Sequence, residues 1–274
     1  MTAIDLFLQY EFLQRALLAA LAVAALCAAL GVYVVLRGLS MLGDGLAHIS
    51  FAGVALGLVL GLYPLALALI AAVAGALIIH ALRAKEVVRG DTAIGILFTA
   101  GLATGILLVS RSRGLGVDLS SYLFGNLLAV GARDVATVGA IAGALLLILV
   151  VLHKELFYVT FNEEAARLSG LPVGMLNVLF TAATAASIVI AARVVGVLLV
   201  SALLVVPAAT ALQFERSFRA TLAISVATGL ASVLIGVWAA AEYSLATGAS
   251  VALTATALFA LVVLVKRALP RAAA

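Results

Sequence analysis

One cysteine in 274 residues, Cys27, excludes a disulfide within the chain and a thiolate metal cluster. It lies inside the first apolar run behind Leu26, where a lipoprotein attachment site wants a small residue, and it reads as a packing residue. Charge is equally scarce. Asp, Glu, Lys and Arg make up 10% of the chain against 66% hydrophobic residues and a mean hydropathy of +1.32, which excludes an ordinary soluble globular domain. The lysines Lys85, Lys154 and Lys266 follow Ala84, His153 and Val265, so no G-x-x-x-x-G-K-[ST] loop exists to cradle nucleotide phosphates. The polypeptide is not its own ATP engine. No nucleophile is paired with a base either, since His80 and His153 stand beside Arg83 and Lys154 at the ends of apolar runs; an enzyme is not expected. The net charge of +4 is scattered over such run ends and forms no patch, which argues against nucleic acid.

What the sequence has in quantity is apolar runs of membrane length. A bilayer core takes roughly 20 helical residues, and charges punctuate the chain at that interval. Candidate spans are 16–36, 45–63, 65–82, 93–110, 135–152, 173–192, 194–213, 220–241 and 246–265. The second and third are separated only by Tyr63-Pro64, where proline disfavours helix in the residue before it, so a tight turn or a single kinked helix fits. Segments 119–131 and 194–213, the latter around a structural break at Pro207, are candidates for re-entrant or broken helices. The expectation is an all-α polytopic membrane protein of eight to ten transmembrane helices, with residues 1–274 forming one transmembrane domain in the lipid bilayer.

Orientation follows from the basic loops. Placing Arg83, Lys85 and Arg89 inside also places Arg37, Lys154, Arg167, Arg216, Arg219, Lys266, Arg267 and Arg271 there, and leaves Arg15, Arg111, Arg113, Arg133 and Arg193 outside. The excess fixes the cytoplasmic side.

Two stretches carry chemistry. In Gly43-Asp44-Gly45-Leu46-Ala47-His48 a carboxylate and an imidazole stand four positions apart, on one helical face. Ionisable groups in or at the edge of a bilayer cost roughly 2.5 kcal/mol or more each and tend to face a bundle interior or a wet path. Asp44 and His48 are therefore candidate metal ligands on a permeation route. The plainer alternative is that Asp44 caps the helix while His48 satisfies a buried neighbour. Gly53, Gly57 and Gly61 repeat every fourth residue on roughly the opposite side, a small-residue row for close helix packing. The second stretch, Phe161 to Pro172, opens with Asn162, continues with Glu163 and Glu164 and ends in Gly170, Leu171 and Pro172. Those are the start and stop signals of a two-turn helix outside the membrane, either a docking element or a solvated connector.

These stretches, together with Val117 to Val130 and Val195 to Ala211, resemble the permease subunits of bacterial ABC importers for zinc, manganese and iron, of the type II build. The resemblance spans residues 35–265 and stands nearest the zinc branch. It implies a homodimer of permeases in the bacterial cytoplasmic membrane, two cytoplasmic ATP-binding subunits and an extracytoplasmic metal-binding protein. It also implies that the Asp44/His48 helix lines the translocation path. The loop carrying Asn162, Glu163, Glu164, Ala166 and Gly170 becomes the coupling helix that docks into the ATPase. The family often has Asp where Asn162 stands, a change that keeps the cap and removes one charge.

No tightly bound cofactor is implied; a divalent ion, zinc ahead of manganese, is cargo. Carboxylate and imidazole suit such ions, whereas copper(I) would ask for sulfur. A second copy across a two-fold axis would raise two ligands to four. Competing readings are a permease for metal chelates such as siderophores or cobalamin, whose wider path Asp44 and His48 oppose, and an ATP-independent proton-coupled carrier.

Overall fold

The computed structural model describes residues 10–85, 91–111, 131–197 and 200–268, and every regular element among them is a helix. In chain order these are α1 (Glu11–Leu36), α2 (Leu42–Leu60), α3 (Pro64–Ala84), α4 (Thr92–Arg111), α5 (Ala132–Val151), α6 (His153–Phe161), α7 (Glu163–Leu168), α8 (Val173–Val195), α9 (Val200–Leu212), α10 (Phe218–Tyr243) and α11 (Thr247–Ala268). Among the described residues seven helices, α1 to α4, α8, α10 and α11, are long and apolar enough to cross a membrane. The pair α5 and α6, bent by 67° at Leu152, makes an eighth candidate. The all-α polytopic architecture is thus the observed one. The segment 119–131 lies, but for Gly131, outside the described residues, as does the Val117 to Val130 stretch.

Of the two readings of 194–213, the structure shows the broken segment and not the full span. Its helical part, α9, has only 13 residues, about 20 Å at 1.5 Å each, too short for a 30 Å core. The break also moves. It lies at Gly196, whose φ of +101° ends α8, while α9 runs unbroken through Pro207. The physical reason is that proline's fixed φ fits a helix and removes one amide donor, whereas Gly196 adopts a backbone geometry that other residues rarely reach.

Helix α1 is the axis of the bundle, packed against α5, α8, α9 and α10. Its apolar stretch is 72% buried, against 22% for α4 and α11, which lie at the periphery. Small residues make this possible. A Cβ added at Gly31 would run into the Leu204 carbonyl of α9, so the two backbones touch, and Ser225 of α10 donates to the Ala28 carbonyl at 2.8 Å. Hydroxyls in the apolar interior are satisfied within their own helices: Thr181, Thr184 and Ser187 of α8 each donate to the carbonyl four residues back.

Helix α2 is wedged between α3 and α4 by glycines from both sides. A Cβ at Gly53 would come within 2.6 Å of the Leu67 carbonyl, one at Gly57 within 2.7 Å of Pro64 Cα, and one at Gly101 of α4 within 2.8 Å of the Ile49 amide. The packing row assigned to Gly53, Gly57 and Gly61 therefore stops at Gly57. Gly61 has no neighbour that a Cβ would meet; it ends α2 in the left-handed region at φ +66°, and Leu62 then bonds back to the Gly57 carbonyl. Pro64 follows at the first position of α3, where its missing amide costs nothing, and the Tyr63-Pro64 junction is a tight turn.

Candidate functional site

The first turn of α2 is built for close approach. Met41 stands at the cap without a side-chain hydrogen bond, so Asp44 is not the helix cap. Its carboxylate accepts a 2.5 Å hydrogen bond from Ser201 Oγ at the start of α9. The flanking glycines admit the neighbours: a Cβ at Gly43 would meet Ser201 Oγ at 2.9 Å and one at Gly45 would meet Ile94 of α4 at 2.6 Å. Asp44 thus lies at a junction of α2 with α9, half-buried and held by a neutral donor.

One turn on, His48 is buried at 6% exposure. Its ring stands edge-to-face on Phe98 of α4, with centroids 4.4 Å apart at 77°. The Nδ1 atom is buried and has no hydrogen-bond partner among the described residues. Asp44 remains within electrostatic reach of that ring. The structure therefore brings the two residues near one another, and gives the second of them no neighbour to satisfy. A buried unpaired imidazole nitrogen is costly, on the order of 1–3 kcal/mol, and calls for a partner. Among the described residues no group of three or more His, Cys, Asp or Glu side chains gathers, so one chain offers a ligand pair and not a complete shell. His48 is covered within the single chain by the Phe98 ring.

The Phe161 to Pro172 stretch forms as its signals predict. Asn162 takes extended backbone angles and accepts from the Ala165 amide at 2.9 Å, capping α7. Glu163 and Glu164 lie in the first turn, and Arg167 donates to Glu163 at 3.1 Å. Ala166 is the buried residue of α7, packed with Val159 of α6 and with Val173 and Leu176 of α8. Gly170, at φ +81°, closes the helix, with Leu171 bonding back to the Ala166 carbonyl. On the outer side Leu168 is 90% exposed. The short helix thus has one face anchored and an apolar residue exposed on the other.

Three partners of these sites escape a reading of the sequence. Ser201 is the single hydroxyl between Val194 and Pro207, which was a signal, but nothing local ties it to Asp44. Phe98 is one apolar residue among many. Arg37, read only as a loop cation, turns out to be gripped by α6 and α8: it donates from Nε to Thr160 at 3.0 Å and from Nη1 to Asn177 at 2.8 Å. His153, in turn, is structural. Its Nδ1 pairs with the Tyr33 hydroxyl at 3.0 Å and its ring stacks on Phe218.

With this geometry described, comparison with known proteins becomes specific. A profile of the ABC 3 transport family matches residues 9–266. The chain is similar to the manganese transport system membrane protein MntC of Halalkalibacterium halodurans, at 37% identity over 94% of this chain and 88% of that protein. It is similar to the manganese import system permease protein ScaB of Streptococcus gordonii, at 32% identity over 91% and 90% of the two chains. Among solved structures, PsaBC from Streptococcus pneumoniae in complex with Fab superposes with a TM-score of 0.86 at 33% identity, covering 95% of this chain and 94% of that one. An ABC transporter solved in an inward-facing conformation shares the fold alone, at 17% identity and a TM-score of 0.75 over 92% and 85%. A match over nearly the whole length, carried by the same helical build, places this chain in the ABC 3 transport family as a multi-pass membrane permease.

Proposed function

We propose that this chain is the membrane-spanning subunit of an ABC importer that carries a divalent metal ion into the bacterial cytoplasm, with manganese ahead of zinc. The observation that carries the reading is the pair at the start of α2: a half-buried Asp44 carboxylate and, one turn on, a His48 ring whose buried Nδ1 has no partner among the described residues. Carboxylate oxygen and imidazole nitrogen suit manganese, zinc and ferrous iron alike. The order between metals rests on the relatives, whose names carry manganese. The lean to zinc drawn from the sequence has no such support.

The arrangement supports transient binding. Ser201 holds Asp44 with a single neutral hydrogen bond and Phe98 covers His48, so an arriving cation has to displace one hydroxyl and shift one ring. Two ligands per chain bind weakly enough to release, and a second copy of the chain brings the total to four. Homodimerisation, two cytoplasmic ATPase subunits docked on α7 and an extracytoplasmic binding protein complete the assembly.

The test is uptake of manganese and of zinc into vesicles holding the purified permease, its ATPase and its binding protein. Uptake that needs ATP and is lost in D44A and H48A, with both variants inserted normally, supports the reading. Uptake at the wild-type rate in both variants overturns the site. Uptake without the ATPase overturns the ABC coupling and returns the proton-coupled carrier.

A further inference from the structure

Arg37 stands at the end of α1, one residue past the membrane-length stretch, and is half-buried. A guanidinium in that position has to be held by its surroundings. Its partners come from two other helices: Thr160 near the end of α6, Asn177 in the second turn of α8, and the Phe180 ring of α8, over which the guanidinium carbon lies at 4.3 Å. Nη2 is buried and finds no partner among the described residues. Burial lowers the group to about 10, while the charges of Glu163 and then Tyr33 act in the opposite direction; it remains a cation at neutral pH.

Thr160 lies in α6, three residues before α7, Asn177 lies in α8, nine residues past the end of α7, and Glu163 is on α7 itself. Arg37 therefore ties together α6 and α8, the helices that lead into and out of α7. The planar guanidinium fork suits this task, since two of its nitrogens bond two acceptors at once. On its other side the α6 segment is held differently. Phe157 and Phe161 touch Phe218 of α10 only through ring contacts, beside a cavity of about 530 Å³ lined by His153, Phe157, Tyr158, Leu171 and Phe218. Ring contacts slide, whereas directional hydrogen bonds fix a position.

Above Arg37 the contacts continue toward the ligand pair. Gly31, six residues earlier on α1, brings the α1 backbone against Leu204 of α9, and Ser201 of α9 bonds Asp44. We infer that Arg37 is a positioning residue for energy coupling: it ties the α7 segment to α1, so that a displacement of α7 moves α1, then α9, and changes the hold of Ser201 on Asp44. This rests on the reading of α7 as the ATPase-docking helix.

The experiment measures manganese transported per ATP hydrolysed in vesicles containing the complete importer. For R37M, which keeps an unbranched apolar side chain beside Phe180, the ratio falls by about fivefold while the ATPase still co-purifies with the permease. R37K recovers part of the ratio, because one ammonium replaces the charge but not the two-acceptor fork. N177L lowers the ratio on its own, and the double variant R37M/N177L is no worse than R37M, as two members of one interaction require. A merely structural Arg37 would lower the yield of inserted protein and leave the ratio unchanged; that result overturns the inference. If R37M does not insert, N177L and R37K carry the same readout. The charge reversal E163K/E164K is run alongside. Unchanged hydrolysis there overturns the docking role of α7 itself, whereas reduced hydrolysis there with an unchanged ratio in R37M and N177L overturns only the role of Arg37.

Discussion

The two regions proposed to carry function in this chain are built by opposite means. Helix α7 is specified within a dozen residues: Asn162 caps it, Glu163 and Glu164 complement its N-terminus, Arg167 pairs across one turn and Gly170 ends it. The ligand pair on α2 has its geometry set from far away. Ser201 is 157 residues from Asp44, and the Phe98 ring that covers His48 belongs to α4. The first region carries its own start and stop signals and leans on the bundle through Ala166, which packs on Val159, Val173 and Leu176. The second exists only while α2, α4 and α9 hold their present packing, and a small shift of α9 or α4 changes what Asp44 and His48 can bind. On the proposed function, a locally specified docking helix and a cation site set by distant packing are what a transporter needs if work done at one end is to change affinity at the other.

The largest effect that sharpens this contrast falls on the pair itself. D44A and H48A should each reduce metal uptake by about a hundredfold, the upper end of what losing a site-shaping group costs, with insertion and ATPase association unchanged. The double variant should be scarcely worse than either single one, because both residues serve one ion. Isotope uptake at matched permease levels measures this. Additive losses would mean that the two residues act at separate steps.

Next comes the long-range partner. S201A removes the donor to a carboxylate, a bond worth about 1.5–3 kcal/mol, and should change the apparent metal affinity by about tenfold. The direction separates two roles for Ser201. Tighter apparent binding means that the hydroxyl competes with the ion for Asp44, and weaker binding means that it orients the carboxylate toward the ion. No change would make the α2 site as local as α7 and dissolve the contrast.

The same contrast decides how much was legible beforehand. The apolar runs fixed nearly all helix positions, because in a membrane the length of a run between charges is itself a structural constraint. The α7 signals were readable for the same reason that α7 is robust: each partner lies within a turn or two. Asp44 and His48 were readable as a pair because helical spacing alone puts them on one face. Ser201, Phe98 and the grip on Arg37 were not, since they depend on which helices meet, and no periodicity encodes that. The misplaced break at Pro207 has a related cause. Proline is a strong local symbol, yet α9 absorbs it, while the less conspicuous Gly196 takes the unusual backbone angle. Gly61 misled in the opposite way: its spacing matched a packing row, but its conformation makes it a helix end.

Those two kinds of glycine give a stability comparison of moderate size. G57A forces a Cβ to within 2.7 Å of Pro64 Cα, a backbone atom that cannot rotate away, and should destabilise the α2–α3 hairpin by about 1–3 kcal/mol. G61A meets no atom and should cost about 1 kcal/mol through its left-handed backbone alone. Thermal unfolding in detergent distinguishes them, and the contact cost at position 57 should persist when residue 64 is also made smaller, because the atom met is its Cα.

The smallest effect tests α7 on its own terms. Replacing Asn162 by Ala removes the acceptor of the Ala165 amide and should cost about 1 kcal/mol, read as faster hydrogen exchange at the amides of the first turn of α7. N162D should restore protection, since aspartate caps as well and its charge suits a helix N-terminus. Transport should change little in either variant. Ala166 still anchors the inner face against Val159, Val173 and Leu176, and Gly170 still closes the helix, so a frayed first turn leaves the docking surface in place. A large loss of transport in N162A would show that α7 depends on a single hydrogen bond; its robustness, and with it the division of the molecule into a rigid end and a pliable one, would then have to be abandoned.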